Sequence, residues 1–200
     1  LNLSVPWDYY LQGRYIKRTA MGLSCPPGSP TRDEVLAVSL AKLGLTSHDT
    51  AMDIGCGSGK VSLALALTAQ AVYAMDRKPE AVAYAKEQAS LAGVSSISFL
   101  CGDAADLLPT LPTPDCAFVG GSHNLSKVIA LLTDLGVRSV VVNAVQVSSL
   151  YEAITSMQEQ SIFIEAVHIQ ISRTVPIGRD MMFRPENPVF IIVGGTGRCS

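Results

Sequence analysis

Asp53-Ile54-Gly55-Cys56-Gly57-Ser58-Gly59 is the stretch of this sequence that decides its fold. Ahead of it, Ala51–Ile54 is predicted as a short apolar strand; behind it, Val61–Leu67 is predicted as a helix. Glycines in alternation remove Cβ atoms where a backbone turns sharply and lets a ligand come close. The Gly-x-Gly-x-Gly spacing is not the Gly-x-Gly-x-x-Gly of dinucleotide sites, and no Gly-Lys-Ser/Thr ending of a P-loop follows. Asp53, at the strand end, would oppose a pyrophosphate but suits a ligand carrying ammonium and sulfonium charges. A tight strand–helix turn without a ligand is the plainer alternative.

Outward from this turn the chain alternates strand and helix. Ala71–Met75, Ser96–Cys101, Asp115–Val119 and Val137–Asn143 are the second to fifth predicted strands. Helices are expected over Glu80–Leu91, opened by Pro79, and over Ser126–Leu135 and Ser148–Glu159. Upstream, Thr31 is expected as an N-cap, with Glu34 completing a capping box before Val35, Val38, Leu40 and Leu43. Downstream, Ile162–Ser172 and Val189–Val193 are predicted as two strands around a Gly/Pro-containing loop, the last antiparallel at the end of the sheet. Such alternation requires crossover connections, hence a mostly parallel sheet covered on both faces: a doubly wound, Rossmann-like α/β domain over residues 31–200. Residues 1–30, ending in Cys25-Pro26-Pro27-Gly28-Ser29-Pro30, are expected to form an irregular arm.

In such sheets, ligands bind beyond the carboxyl ends of the strands. Two further acidic residues fall there. Asp76, ending the second strand, can accept both hydroxyls of a ribose, although alone it could as well be a solvated residue or a helix cap. Asp103, in Gly102-Asp103-Ala104 after the third strand, can accept from an adenine amino group, while Ala104 offers a backbone N–H to the ring. Carboxylates at three successive strand ends, with the glycine turn among them, match S-adenosylmethionine from its amino acid to its adenine. Methyl transfer from a sulfonium relies on positioning more than on acid–base groups, so no catalytic base is assigned. Of the histidines, His48 is expected in a surface loop and His168 in a strand. His123 follows Gly120-Gly121-Ser122 beside the expected cleft.

Composition narrows the partners. The 200 residues carry a net charge of −2 and are 48% hydrophobic, enough for a packed core and unlike a protein that holds nucleic acid by charge. No apolar run approaches the roughly 20 residues of a membrane span. The chain opens on Leu1 without the layout of a signal peptide. Its five cysteines (25, 56, 101, 116 and 199) are scattered without a Cys-x-x-Cys pair, and no metal site is expected. Cys56, Cys101 and Cys116 are expected to be small core residues in a reducing cytoplasm.

A wider set of segments, in order, is informative: Pro30-Thr31-Arg32-Asp33-Glu34-Val35, the glycine turn, Asp76-Arg77-Lys78-Pro79-Glu80-Ala81, Gly102-Asp103-Ala104, Phe118-Val119-Gly120-Gly121-Ser122, Val142-Asn143-Ala144, Ile171-Ser172-Arg173 and Glu186-Asn187-Pro188-Val189. Together they resemble the decarboxylating precorrin methyltransferase family of cobalamin biosynthesis, in its free-standing anaerobic form. The glycine turn is shared by many methyltransferases; the Gly-Gly-Ser segment and the Asn-Pro-Val tail make the resemblance specific. It implies methylation of the position-15 meso carbon of a cobalt-precorrin, with loss of carbon dioxide from the neighbouring ring acetate. It also implies cofactor contacts at Thr31, Gly55, Cys56, Gly57, Ser58, Gly59, Asp76 and Ala104, to which the strand-end argument adds Asp103. Gly120, Gly121 and Ser122 would lie beside the methyl group and the substrate. A homotetramer is implied as well.

The macrocycle is an anionic tetrapyrrole, so local cations are expected to meet it: Arg14, Lys17, Arg18 and Arg32, with Arg173, Arg179 and Arg184 near the tail. Tyr9, Tyr10 and Tyr15 offer a flat wall. The chain departs from the family pattern at Leu36, where Arg is usual, and at His123-Asn124, where Gly-Gly is usual. An RNA adenine methyltransferase of the same fold is the alternative, weakened by the acidic balance and by the lack of an Asn-Pro-Pro-Tyr-type motif after the fourth strand. A non-enzymatic subunit is opposed by the intact glycine turn and Asp76.

Overall fold

The structure, a computed structural model, describes residues 31–121 and 123–196. The expected arm, with Tyr9, Tyr10, Arg14, Tyr15, Lys17 and Arg18, lies outside these residues, as do Ser122, Cys25 and Cys199. Helix α1 spans Asp33–Leu43, β1 Thr50–Ile54, α2 Lys60–Leu65, β2 Ala71–Asp76, α3 Pro79–Leu91 and β3 Ile97–Cys101. A short helix α4, Ala104–Leu107, runs into a 3₁₀ turn, and β4 follows at Cys116–Val119. Then come α5 (Leu125–Asp134), β5 (Ser139–Ala144), α6 (Val147–Glu159), β6 (Phe163–Ile169), β7 (Ser172–Ile177), β8 (Asp180–Pro185) and β9 (Val189–Gly194).

Seven strands form one sheet in the order β3-β2-β1-β4-β5-β9-β6. The first five pair in parallel, and β9 runs antiparallel to both β5 and β6. The expected doubly wound sheet is present, with one correction: the antiparallel strand is inset between β5 and β6 and does not end the sheet. The chain after α6 leaves one strand width free, and β9 fills it from the opposite direction.

The period of two along β1 sends Met52 and Ile54 to one face and Ala51 and Asp53 to the other. Met52 and Ile54 join Val128, Ile129 and Leu132 of α5 and Met157 of α6 in one core. Ala51 joins Val35, Leu36 and Leu43 of α1, Val61 and Leu65 of α2, and Phe118 of β4 in the second. Each fully buried Leu or Ile on these faces contributes about 2 kcal/mol of transfer free energy. Leu36, the departure from the family pattern, is thus a core residue of α1, 6% exposed, and does not face the cleft described below.

Three local expectations need correction. The N-cap of α1 is Arg32, with no side-chain cap bond, so Thr31 does not open a capping box. Glu34 does not reach back because its carboxylate is taken by Arg173 at 2.9 Å. The expected tail loop is instead a two-stranded ribbon, β7–β8, turning at Gly178-Arg179 with Gly178 at φ +61°. Pro176 and Pro185 disguise it in sequence, yet in a ribbon each strand has an outer edge where a missing N–H costs no ladder bond. Finally, Cys101 is exposed on edge strand β3, while Cys56 and Cys116 are buried. Burial pushes both of those thiols up, Cys116 to about 12.

Candidate functional site

The carboxyl ends of β1 to β4 open on a cleft of about 510 Å³, lined in part by Thr31, Asp53, Gly57, Asp76, Asp103 and Gly120. Typical small-ligand sites fall between roughly 300 and 1,000 Å³. Of the expected cofactor residues, Thr31, Gly55, Cys56, Gly57, Ser58, Asp76, Asp103 and Ala104 line it, and Gly59 does not. Gly59 caps α2 at φ +77°, where an added Cβ would stand 2.8 Å from the Ala85 Cβ of α3. The missing Cβ there lets α2 pack closely on α3. Gly55, also left-handed at φ +78°, would put a Cβ 2.8 Å from the Gly121 amide nitrogen. The glycine turn and the Gly120-Gly121 segment therefore meet backbone to backbone, and both border the cleft.

Asp76 organises the turn before any ligand arrives. Its Oδ2 accepts from the Gly57 N–H at 3.0 Å and its Oδ1 from the Lys78 N–H at 3.0 Å. An ionised carboxylate has about four lone-pair sites, so room remains for two hydroxyl donors. Asp103 is fixed similarly: Oδ1 accepts from the Ala105 N–H at 2.9 Å as the cap of α4. Its Oδ2 faces His123 Nε2 at 3.2 Å and Asn124 Nδ2 at 3.4 Å. The Ala105 N–H above all, then His123, Asn124 and Arg77, hold the Asp103 carboxyl below the usual carboxylate range. His123, expected beside the cleft, does line it.

Asp53 is the unusual member. It is fully buried, and Ser62 of α2 donates its hydroxyl to Oδ2. Among the described residues, Oδ1 has no hydrogen-bond partner. Desolvation dominates, pushing the carboxyl up to about 7 against the Ser62 bonds, with the Asp76 charge adding to the rise. A buried acceptor left open at the wall of a cleft fits a cationic donor entering that cleft.

The cations expected near a polyanionic substrate divide. Arg32 pairs with Glu186 and donates to the Asn187 carbonyl at 2.9 Å. Arg173 bridges Glu34 at 2.9 Å and Glu186 at 3.1 Å. Neither lines the cleft, so the structure does not bring Arg173 to the site expected for it. Arg179 and Arg184 lie exposed on the ribbon, whereas Arg77 lines the cleft rim. Beyond Gly120-Gly121, a smaller hollow of about 140 Å³ reaches Asn143, whose Oδ1 accepts from Ser39 Oγ at 3.1 Å. Sequence reasoning missed Ser62 and Lys60; their place directly after the glycine turn was the available signal.

Comparison with known proteins agrees with this geometry. The family profile of the precorrin methyltransferase domain matches residues 27–194. A protein of Methanosarcina mazei named "probable cobalt-precorrin-6B C(15)-methyltransferase (decarboxylating)" is 41% identical over 172 residues, covering 84% of this chain and 94% of the relative. The crystal structure of precorrin 8W decarboxylase from Methanobacterium thermoautotrophicum superposes with a TM-score of 0.81 at 30% identity, covering 86% of this chain and 94% of that one. That of precorrin-6y C5,15-methyltransferase from Geobacter metallireducens gives 0.80 at 25% identity, covering 89% and 97%.

Proposed function

This chain belongs to the precorrin methyltransferase family, and on that premise we propose that it methylates the position-15 meso carbon of a cobalt-precorrin and removes carbon dioxide from the neighbouring ring acetate, as a step in anaerobic cobalamin biosynthesis. The observation that carries the cofactor half is the row of carboxylates, Asp53, Asp76 and Asp103, along one cleft. When bound, S-adenosylmethionine supplies an electrophilic methyl group on a sulfonium. In this reading Asp76 accepts the ribose hydroxyls, Asp103 and Ala104 meet the adenine, and Asp53 offers Oδ1 to the α-ammonium. The Gly57 N–H, already turned to Asp76, keeps that carboxylate from swinging out of the cleft.

The substrate half follows from family membership. A tetrapyrrole plane would approach from the Gly120-Gly121 side, where the absence of side chains leaves the backbone open, with Ser122 adjoining. Loss of the acetate carboxylate leaves electrons that the conjugated ring can deliver to the meso carbon, making it nucleophilic. His123 and Arg77 stand at the rim as donors for substrate carboxylates.

The same reading includes a homotetramer in the cytoplasm. The β7–β8 ribbon, which exposes Ile177, Met181, Met182 and Phe183, supports self-association. No helix among the described residues is long and apolar enough to cross a membrane.

Two measurements test the proposal. Calorimetry should detect S-adenosylhomocysteine binding that Asp76→Ala abolishes. Mass spectrometry of a reaction with the cobalt-precorrin intermediate should show one added methyl and one lost carbon dioxide. Methyl transfer to bulk tRNA, with the tetrapyrrole unchanged, would overturn it in favour of an RNA methyltransferase.

A further inference from the structure

Lys60 occupies the first position of α2, directly behind the glycine turn, and lines the cleft. Its ammonium carries three N–H donors. One goes to the Thr31 carbonyl at 2.7 Å and a second to Asp33 Oδ1 at 2.6 Å. No described residue provides an acceptor for the third. The pair with Asp33 is lopsided: the Lys60 side chain is 13% exposed and that of Asp33 69%. The cation is thus held inside the wall while its counter-ion stands in solvent, so the charge is only partly neutralised where a ligand would meet it.

The other charges along the cleft give this cation its meaning. Asp53, Asp76 and Asp103 make the walls acidic, and Arg77 sits at the far, β2 side. A ligand laid from β3 across β2 to β1 ends where the N-termini of α1 and α2 approach each other, at Thr31 and Lys60. If that end bears a carboxylate beside an ammonium, the carboxylate would have no cationic side chain to meet among the described residues there without Lys60, whereas the ammonium has the buried, unpaired Oδ1 of Asp53.

Resting on the methyltransferase reading, we propose that Lys60 binds the α-carboxylate of the cofactor's amino-acid end through its third N–H, forming with Asp53 a cradle for a zwitterion. Thr31 and Asp33 aim the ammonium, and Lys60 reads the ligand. The site therefore discriminates a nucleoside thioether carrying an amino-acid tail from one without it.

The test compares two probes: S-adenosylhomocysteine, which has the amino-acid tail, and 5′-methylthioadenosine, which keeps the adenine, ribose and sulfur and lacks it. Lys60→Gln should weaken the first by about tenfold or more, the scale of one charge-assisted hydrogen bond, and leave the second within about twofold. Lys60→Arg should restore most of the loss. Asp33→Asn removes the counter-charge but keeps an Oδ1 acceptor to aim the ammonium, and should leave S-adenosylhomocysteine affinity unchanged or tighter. Equal weakening of both probes in Lys60→Gln, or a loss in Asp33→Asn as large as in Lys60→Gln, would overturn the proposal, because Lys60 would then act only by pinning the entrance of α1. An unchanged affinity in Lys60→Gln would overturn it too. Wild-type protein binding neither probe would instead defeat the cofactor reading on which the proposal rests.

Discussion

Cofactor binding should depend steeply on pH through Asp53, a residue that titrates in the experimentally convenient range. Burial raises its carboxyl to about 7, and only the ionised form can offer Oδ1 as a charged acceptor to an α-ammonium. With that value, the ionised fraction rises from about 0.1 at pH 6 to about 0.9 at pH 8, so S-adenosylhomocysteine should bind about tenfold more tightly at the higher pH. Near pH 7, binding should also release about half a proton, measurable by calorimetry in buffers of differing ionisation heat. Asp53→Asn should abolish both effects and bind weakly throughout. The variant's stability should move the opposite way. Because the folded-state value lies above the unfolded one, the folded protein holds the proton between the two values, and this contribution is lost as pH rises through about 7. Ionised and without ligand, the buried Asp53 costs on the order of 4 kcal/mol, the free energy of holding a carboxyl at about 7. The Asn variant should therefore gain stability over wild type at pH 8 and little at pH 4. A wild-type affinity that is flat from pH 6 to 8, with no proton released, would refute the role given to Asp53.

Three other perturbations follow from particular contacts. Gly59→Ala, forced to φ +77° against Ala85, should lose about 1–3 kcal/mol in urea denaturation while the folded protein keeps its affinity for S-adenosylhomocysteine; a selective loss of affinity would return Gly59 to the cofactor. Arg138→Met removes the partner that stands 2.6 Å from Asp49, whose side chain is 8% exposed, and should cost about 1–3 kcal/mol at pH 7. Although burial pushes the Asp49 carboxyl up, the Thr46 and Arg138 bonds hold it below its usual value, so this contribution is present above about pH 4 and the difference between the proteins should shrink as pH falls further. Met181→Asp with Phe183→Asp, on the exposed ribbon, should lower the mass seen by light scattering without weakening S-adenosylhomocysteine binding; an unchanged mass would remove the ribbon from the assembly.

The row of carboxylates along the cleft was legible because its placement is local. Asp53, Asp76 and Asp103 each sit at the end of an apolar run, so period-two alternation and a following glycine or helix start place them at one edge of the sheet. The same locality does not separate Gly55 from Gly59, where one glycine pattern has two causes: Gly55 avoids the Gly121 backbone, and Gly59 avoids the Ala85 side chain. Nothing in the spacing separates a clash across a loop from a clash with a helix. The capping box failed for a long-range reason. The helix starts one residue later than expected, with Arg32 as its N-cap, and Arg173, distant in sequence, holds the Glu34 carboxylate in a charged hydrogen bond.

That long-range pairing also explains why the substrate cations were the least legible part. Arg173 and Arg184 are cross-strand neighbours in the ribbon, a like-charge pair on one face that destabilises it unless neutralised. Glu34 and Glu186 supply that neutralisation at Arg173, so its charge serves the docking of the ribbon on α1. The Arg173 side chain holds the first turn of α1, the next residue back is Asp33, and Asp33 meets Lys60 in the cleft wall. Two ion pairs on adjacent residues of α1 thus join the ribbon to Lys60 in the cleft wall. Arg173, expected from sequence to meet the substrate, is engaged instead by Glu34 and Glu186 and lies outside the cleft lining.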